Sequence, residues 1–282
     1  MAFAFHRPET IDAAIAFARE QGEAVRFLAG GTDLIIQINR GRTAPRHLIS
    51  LAGLGLDTIS ETPTEVVIGA MATHDAVVTY PGFQEHLIAL TEASAVIGGR
   101  QVRNIATVGG NIVNASPAAD LVPVLLTLDA TVDLRGSAGV RSMPLDRFLV
   151  ERGRTDRRPE EILTAVRFDK PPAASATAFL KAGRRKAMEI SVICVAAHLV
   201  KDGKARIAIG AAASRTVRVP EAEALVAKQG AAAFREAGRI AAAAATPIDD
   251  VRSSARYRKL LVAAMVERAL AACADRIEKG GP

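Results

Sequence analysis

Cysteine is scarce in this chain: 282 residues contain two, Cys194 and Cys273. Two thiols cannot complete an iron-sulphur cluster or a cysteine-rich zinc site. Each lies in an apolar segment, where a thiol reads as a small buried hydrophobe. The five histidines are scattered, without the spacing that sets two metal ligands on one helical face. Redox chemistry, if this chain performs any, must therefore rest on an organic cofactor. Aromatic residues are only 4% of the chain, and the basic residues behind its formal charge of +6 are dispersed. That excludes both the stacking platform and the basic stripe of a nucleic-acid-binding surface, while the positive balance suits an anionic cofactor or an acidic partner. No apolar run reaches the roughly 20 residues that a membrane helix requires. The N-terminal stretch Met1 to Pro8 also lacks the layout of a secretory signal, so a cytoplasmic location is the expectation. No Gly-x-Gly-x-x-Gly follows the first predicted strand, which argues against a Rossmann domain.

What the sequence does contain is two double-glycine stretches with the same logic. From Val25 to Ile36 an apolar strand runs into Ala29-Gly30-Gly31-Thr32-Asp33 and then a helix capped near Thr32. From Thr107 the chain reads Thr-Val-Gly-Gly-Asn111, continues through a Pro-led segment to Asp120, and enters the apolar run Leu121 to Leu128. Paired glycines make tight turns, and they also bare backbone amides to a ligand. Successive amides in such a turn form an anion-binding concavity, and a helix N-terminus adds partial positive charge. Two such loops could grip a diphosphate from both sides, with the amides of Ala29 to Asp33 and of Thr107 to Asn111 as donors and the Thr32 and Thr107 hydroxyls in support.

The rest of the chain reads as α+β. A first lobe alternates strand and helix: a strand at Phe3 to Phe5, a helix from Pro8 to Gln21, the glycine strand and its helix, and a strand from His47 to Leu51. From Asp57 the pattern changes to short strands, Glu65 to Met71 among them. Thr73 caps a short helix, which leaves His74 either at a cofactor or in a first turn near solvent. A longer helix is expected from Phe83 to Ile97, closed by Gly98 and Gly99. After Asp120, which would complement the helix dipole, Leu121, Val124, Leu125 and Leu128 form a core-facing stripe. A hairpin is expected at Thr131 to Leu134 and Val140 to Met143, and a strand from Glu161 to Phe168. Pro171 and Pro172 mark the main boundary. Beyond it come strands at Thr177 to Lys181, Ser191 to Val200 and Ala205 to Ala211, then helices at Pro220 to Lys228, Ala231 to Ala245 and Ser254 to Ile277. On residues alone, Leu163 reads as core and the basic run Lys181 to Lys186 as a solvated hairpin end.

Taken together, Leu28-Ala-Gly-Gly-Thr-Asp-Leu34 and Thr107 to Pro123 resemble the two flavin-binding loops of the FAD subunit of molybdenum hydroxylases. That family includes the medium subunits of bacterial xanthine, carbon monoxide and nicotinate dehydrogenases. The likeness extends to Glu161-Ile162-Leu163 and to Phe179 to Arg185, and so covers most of the chain. The resemblance implies an FAD-binding domain of the vanillyl-alcohol-oxidase (PCMH) type at 1–171, with lobes of about 1–56 and 57–171. A C-terminal three-stranded sheet with a helical cluster would occupy 172–282. It implies FAD contacts at Leu28, Ala29, Gly30, Gly31, Thr32, Asp33, Leu34, Thr107, Val108, Gly109, Gly110, Asn111, Asp120, Leu163 and Lys181. It further implies a large molybdenum-cofactor subunit and a small iron-sulphur subunit as partners, and NAD, dioxygen or a quinone as final acceptor. Two departures bear on that acceptor: Ile97 stands where some members have an aromatic residue, and Ala187 to Ser191 lacks the aromatic that several carry near the flavin. A stand-alone FAD-dependent oxidase and a cofactor-free scaffold subunit are the alternative readings.

Overall fold

The computed structural model describes residues 3–84, 86–185 and 187–280. Met1, Ala2, Glu85 and Lys186, on which parts of the sequence reading fall, lie outside the described residues. In the first lobe, strands Ala4–His6 and Val25–Leu28 flank His47–Ser50 in a parallel sheet. Parallel strands need crossovers, here the helices Ile11–Gln21 and Leu34–Asn39. The first helix begins at Ile11 rather than Pro8, because the Thr10 hydroxyl caps it by accepting from the Ala13 amide at 3.1 Å. Its face of Ala14, Ile15 and Ala18 is buried with Val25, Ile49 and Leu51. No side chain caps the helix Leu34–Asn39, whose N-cap is Asp33 and not Thr32.

The second lobe is a five-stranded antiparallel sheet in the order Ile59–Glu61, Glu65–Gly69, Ile162–Asp169, Thr131–Gly136, Gly139–Pro144. Its inward residues Val66, Ile68, Val132, Leu134, Val166 and Phe168 share one core with the helices of the lobe. The single helix expected from Phe83 to Ile97 is instead a 3-10 turn, Pro81–Phe83, followed by a helix at Ile88–Ala95. Thr177 of the C-terminal sheet accounts for the interruption, since its hydroxyl donates to the His86 carbonyl at 3.1 Å and accepts from the Ala89 amide at 3.3 Å. The helix Leu121–Thr127 is buried on every side rather than along one stripe. It is wedged between the second lobe and the strands Ile193–Val200 and Ala205–Gly210, a position its lack of charged residues permits.

The C-terminal sheet has four antiparallel strands where three were expected: Ser175–Ala182, Ile193–Val200, Ala205–Gly210 and Val217–Arg218. The fourth has two residues, too few to show a period in sequence. It is pinned where Arg218 meets Glu223 at 2.6 Å and also pairs with Asp129. Helices Pro220–Gln229, Phe234–Ala244 and Ala255–Glu278 pack on this sheet around Val226, Ala237, Val262 and Leu270. Cys194 and Cys273 are buried and unpaired. Among the described residues no helix is long and apolar enough to cross a membrane.

Candidate functional site

A cleft of about 590 Å³ opens between the two lobes, and both double-glycine stretches line it. They meet because Gly30 has no side chain: a Cβ there would stand 1.8 Å from the Ile105 carbonyl oxygen and 2.6 Å from its carbon. Only glycine allows two backbones to approach so closely. Gly31 completes the turn with a positive φ of 73°. Across the cleft, Gly110 looks onto Ala29, whose Cβ is 4.0 Å from where a Gly110 Cβ would be.

The two stretches differ in what they offer a ligand. Among the described residues, no hydrogen bond engages the five amides from Ala29 to Asp33. At the second stretch the expected open loop is a helix, Val108–Val113, whose N-cap is Thr107. The Val108 amide donates to the Ala72 carbonyl at 2.9 Å and the Gly109 amide to the Ala70 carbonyl at 2.8 Å. The Gly110 amide donates to the Thr107 hydroxyl at 3.0 Å, and the Asn111 amide to the Thr107 carbonyl at 2.9 Å. The amide donors expected from Val108 to Asn111 are therefore already engaged, while the Thr107 hydroxyl accepts from Gly110 and keeps its own O–H to donate. Gly109 serves close packing instead, since a Cβ there would lie 2.7 Å from both the Ala70 carbonyl oxygen and its Cβ.

Of the sequence-predicted residues, Ala29 to Leu34, Thr107, Gly109, Gly110, Asn111 and Leu163 line the cleft. Leu28 lies beneath Gly31, its Cδ1 3.2 Å from the space a Cβ would take, and Val108 is fully buried. Asp120 and Lys181 do not line the cleft but meet each other behind it, Nζ to Oδ2 at 2.7 Å. Ser191 donates to the other carboxylate oxygen of Asp120 in a short hydrogen bond, and Lys181 also donates to the Val96 carbonyl at 3.1 Å. Burial raises the Asp120 carboxyl above its ordinary range, against the opposing pull of Lys181 and Ser191. Val96 precedes Ile97, a wall residue, so the pair stands one residue behind the lining.

Two further residues of the lining are His74 and Glu161. His74 is 1% exposed rather than near solvent, because its amide donates to the Ala106 carbonyl at 3.0 Å and draws the short helix against the second glycine stretch. Burial, and then the Arg103 charge, push its imidazole down to about 4, so it is neutral at pH 7. Among the described residues, its Nδ1 and the Asn111 Oδ1 are buried without a hydrogen-bond partner. Orphaned polar atoms in a cleft wall are a mark of a ligand site. Glu161 also lines the cleft but is tied down: Arg141 binds both its oxygens, at 2.7 and 2.9 Å, and the Arg158 amide adds a third bond at 2.8 Å. Burial works to raise the Glu161 carboxyl, yet these bonds outweigh it and hold the group below its usual range.

Free amides, a glycine cradle and orphaned polar atoms form a site for an elongated ligand with an anionic centre, and FAD has that chemistry. The comparisons with known proteins agree. Residues 1–171 match a family model described as FAD binding domain in molybdopterin dehydrogenase, and residues 178–273 match the CO dehydrogenase flavoprotein C-terminal domain. The chain is 31% identical over 275 residues to the carbon monoxide dehydrogenase medium chain of Afipia carboxidovorans, covering 95% of each. It is 37% identical over 196 residues to the nicotinate dehydrogenase FAD-subunit of Eubacterium barkeri, covering 68% of this chain and 66% of the relative. Its fold overlays a chain of carbon monoxide dehydrogenase from Hydrogenophaga pseudoflava with a TM-score of 0.92 at 30% identity, covering 96% and 97% of the two.

Proposed function

The chain belongs to the family of FAD-binding subunits of molybdenum hydroxylases, and on that premise we propose that it relays electrons from an iron-sulphur partner, through FAD held in the cleft, to an external acceptor. Bound FAD supplies the relay chemistry, because it takes up electrons singly and releases them in pairs. The chain's own residues bind and orient it. The amides of Ala29 to Asp33 hold the diphosphate, with Leu28 and Leu34 shaping the turn. Thr107, Gly109 and Gly110 form the opposite wall, with Val108 buried behind them, and the Asn111 carboxamide oxygen and neutral His74 would suit the ribityl hydroxyls. Leu163, in the lining, would pack against the bound group. Asp120 and Lys181, one residue behind the wall at Ile97, would supply a fixed charge pair close to it.

The flavin-binding part is 1–171, in two lobes meeting near 56, and the remainder from 172 is the C-terminal unit. The partners of this reading are a large molybdenum-cofactor subunit and a small iron-sulphur subunit in the cytoplasm, with NAD, dioxygen or a quinone as acceptor. The observation that carries it is the row of five unengaged amides at Ala29 to Asp33, closed over by the Ile105 backbone. The test is a visible spectrum of the purified chain, alone and with co-purifying subunits, beside that of Gly110→Asp. Flavin bands lost in the variant support the site; a complex that stays colourless after FAD is added refutes it.

A further inference from the structure

Two guanidinium groups, those of Arg157 and Arg26, line the cleft without an ion pair among the described residues. Arg157 lines the cleft, and its Nη1 donates to the carbonyls of Arg158, Pro159 and Glu161 at 2.8, 2.9 and 2.7 Å. Its carbon Cζ lies 5.8 Å from the centre of the Phe27 ring, which also lines the cleft. Among the described residues, Nε and Nη2 of Arg157 have no hydrogen-bond partner and the side chain forms no ion pair. Arg26 lines the same end, and its Nη1 is held by the carbonyls of Glu23 and Val25 at 3.0 and 2.7 Å, again without an ion pair among the described residues. Glu161, a carboxylate of the wall, is committed to Arg141. Burial first, and then the charge of Arg26, lower the proton affinity of Arg157. Like charges held together on main-chain carbonyls gain from an anion.

Phe27, Arg26 and Arg157 stand together in the lining: Arg26 and Phe27 are on the strand that leads into the free amides, and the Arg157 Cζ lies 5.8 Å from the Phe27 ring. The Asp120 and Lys181 pair reaches the lining elsewhere, through Val96 beside Ile97. We propose that Arg157, flanked by Arg26 and the Phe27 ring, holds the adenosine phosphate half of the dinucleotide and so makes the cleft select FAD over FMN. A guanidinium over an adenine face, or forked onto the adenosine-side phosphate, uses the charge and the planar donors that this position supplies.

This inference rests on the reading that the cleft takes FAD, and the experiment separates the two. The full chain, purified with any subunits that accompany it and stripped of flavin, is titrated calorimetrically with FAD, FMN and ADP. For Arg157→Ala the affinity for FAD and for ADP should fall about 10- to 100-fold, the range of one charge-assisted hydrogen bond, while the affinity for FMN stays as in the wild type. Arg157→Lys, which keeps the charge and loses the plane, should recover part of the loss. Equal weakening of FAD and FMN, or ADP binding indifferent to the substitution, overturns the inference. A wild type that takes neither flavin overturns the FAD reading and this inference with it. Should Arg157→Ala fail to fold, Arg157→Lys and Arg26→Ala carry the same comparison of FAD with FMN.

Discussion

Replacing Gly30 by alanine tests whether backbone contact between the two glycine stretches holds the binding loop in place. The added methyl would lie 1.8 Å from the Ile105 oxygen, so more than 1 Å of separation must be found. Neither side can yield cheaply. Ile105 and Ala106 are fixed by amide bonds to the Val102 carbonyl at 3.1 and 2.7 Å, and Ala106 in turn accepts from His74 at 3.0 Å. Gly30 sits between a strand of the parallel sheet and the helix Leu34–Asn39. Overpacking of this kind costs roughly 1–3 kcal/mol of stability. The effect on binding should be larger, because the free amides of Ala29 to Asp33 move as a group. Charge-assisted hydrogen bonds are worth about 1.5–3 kcal/mol each, and losing alignment of one or two lowers affinity about 10-fold or more. The assay is FAD titration of the flavin-free chain alongside its melting temperature. Gly22→Ala is the control: its φ is 57° with nothing within 4 Å of a new Cβ, so it should cost on the order of 1 kcal/mol of stability and leave affinity alone. Wild-type FAD affinity in Gly30→Ala would refute the reasoning.

Three further outcomes are expected. Lys181→Met leaves the buried Asp120 without its 2.7 Å partner and should destabilise the chain by about 3–5 kcal/mol, with Asp120→Asn in the same chain restoring most of it; chemical denaturation reads both, and a loss within experimental error for the single variant argues that the pair is not buried. Asp250→Ala removes the carboxylate that meets Arg258 at 2.6 Å, an arginine 2% exposed, and should cost a similar amount; because bonds from Arg252 chiefly hold Asp250 below its ordinary range, its contribution is present above pH 3.8 and disappears as the pH falls below that, which an acid melting series would show. Burial is the first cause that pushes both His74 and His198 down to about 4 from 6.5, so each stabilises the fold above pH 6.5 and loses that contribution as the pH falls toward 4, at roughly 1.4 kcal/mol per unit per histidine. Urea midpoints between pH 7 and 5 check this, His198→Gln should halve the slope, and a flat profile would refute it.

The sequence was most legible where one local constraint fixes one local structure. Thr73 caps a helix through its hydroxyl, as capping chemistry requires, and Asp202-Gly203 joins two strands with Gly203 at a φ of 93°, whereas Thr107 caps a helix where an open loop was expected. Gly109 and Gly110 show the limit. A glycine pair announces missing side chains, but it does not say whether the space admits a ligand or another backbone. At Gly30 and Gly109 it is a backbone, and the helix Val108–Val113 engages amides that an open loop would have left free. In sequence His74 stays open between a cofactor contact and a first turn near solvent for a related reason: its burial depends on the Ala106 carbonyl, 32 positions away in the chain. The pair of Asp120 and Lys181 was reached through family likeness, since a contact between residues 61 apart leaves no periodic trace. Arg157 lies in a charged turn from Glu151 to Glu161, where one more arginine among several reads as surface.

That division of labour between the loops constrains where a dinucleotide's charge can be met. If both glycine stretches presented open amides, a diphosphate would be solvated by backbone from two sides and a nearby guanidinium would be surplus. The second stretch presents none of its amides from Val108 to Asn111, and what it keeps is the O–H of Thr107, whose oxygen accepts from Gly110. Lys181 is matched by Asp120. The partial charges that remain in the lining come from the first loop and from the short helix start at Leu34, and such terms weaken within a turn. A full positive charge must come from side chains, and the ones facing the cleft without a carboxylate partner among the described residues are Arg26 and Arg157. Their mutual repulsion is a cost to the empty fold that an anion removes on arrival, so the same two residues should make the chain slightly less stable without ligand and more stable with it. Arg26→Ala should accordingly raise the melting temperature of the flavin-free chain while reducing the further rise that added FAD produces, a crossing of signs that a residue serving only the fold would not show.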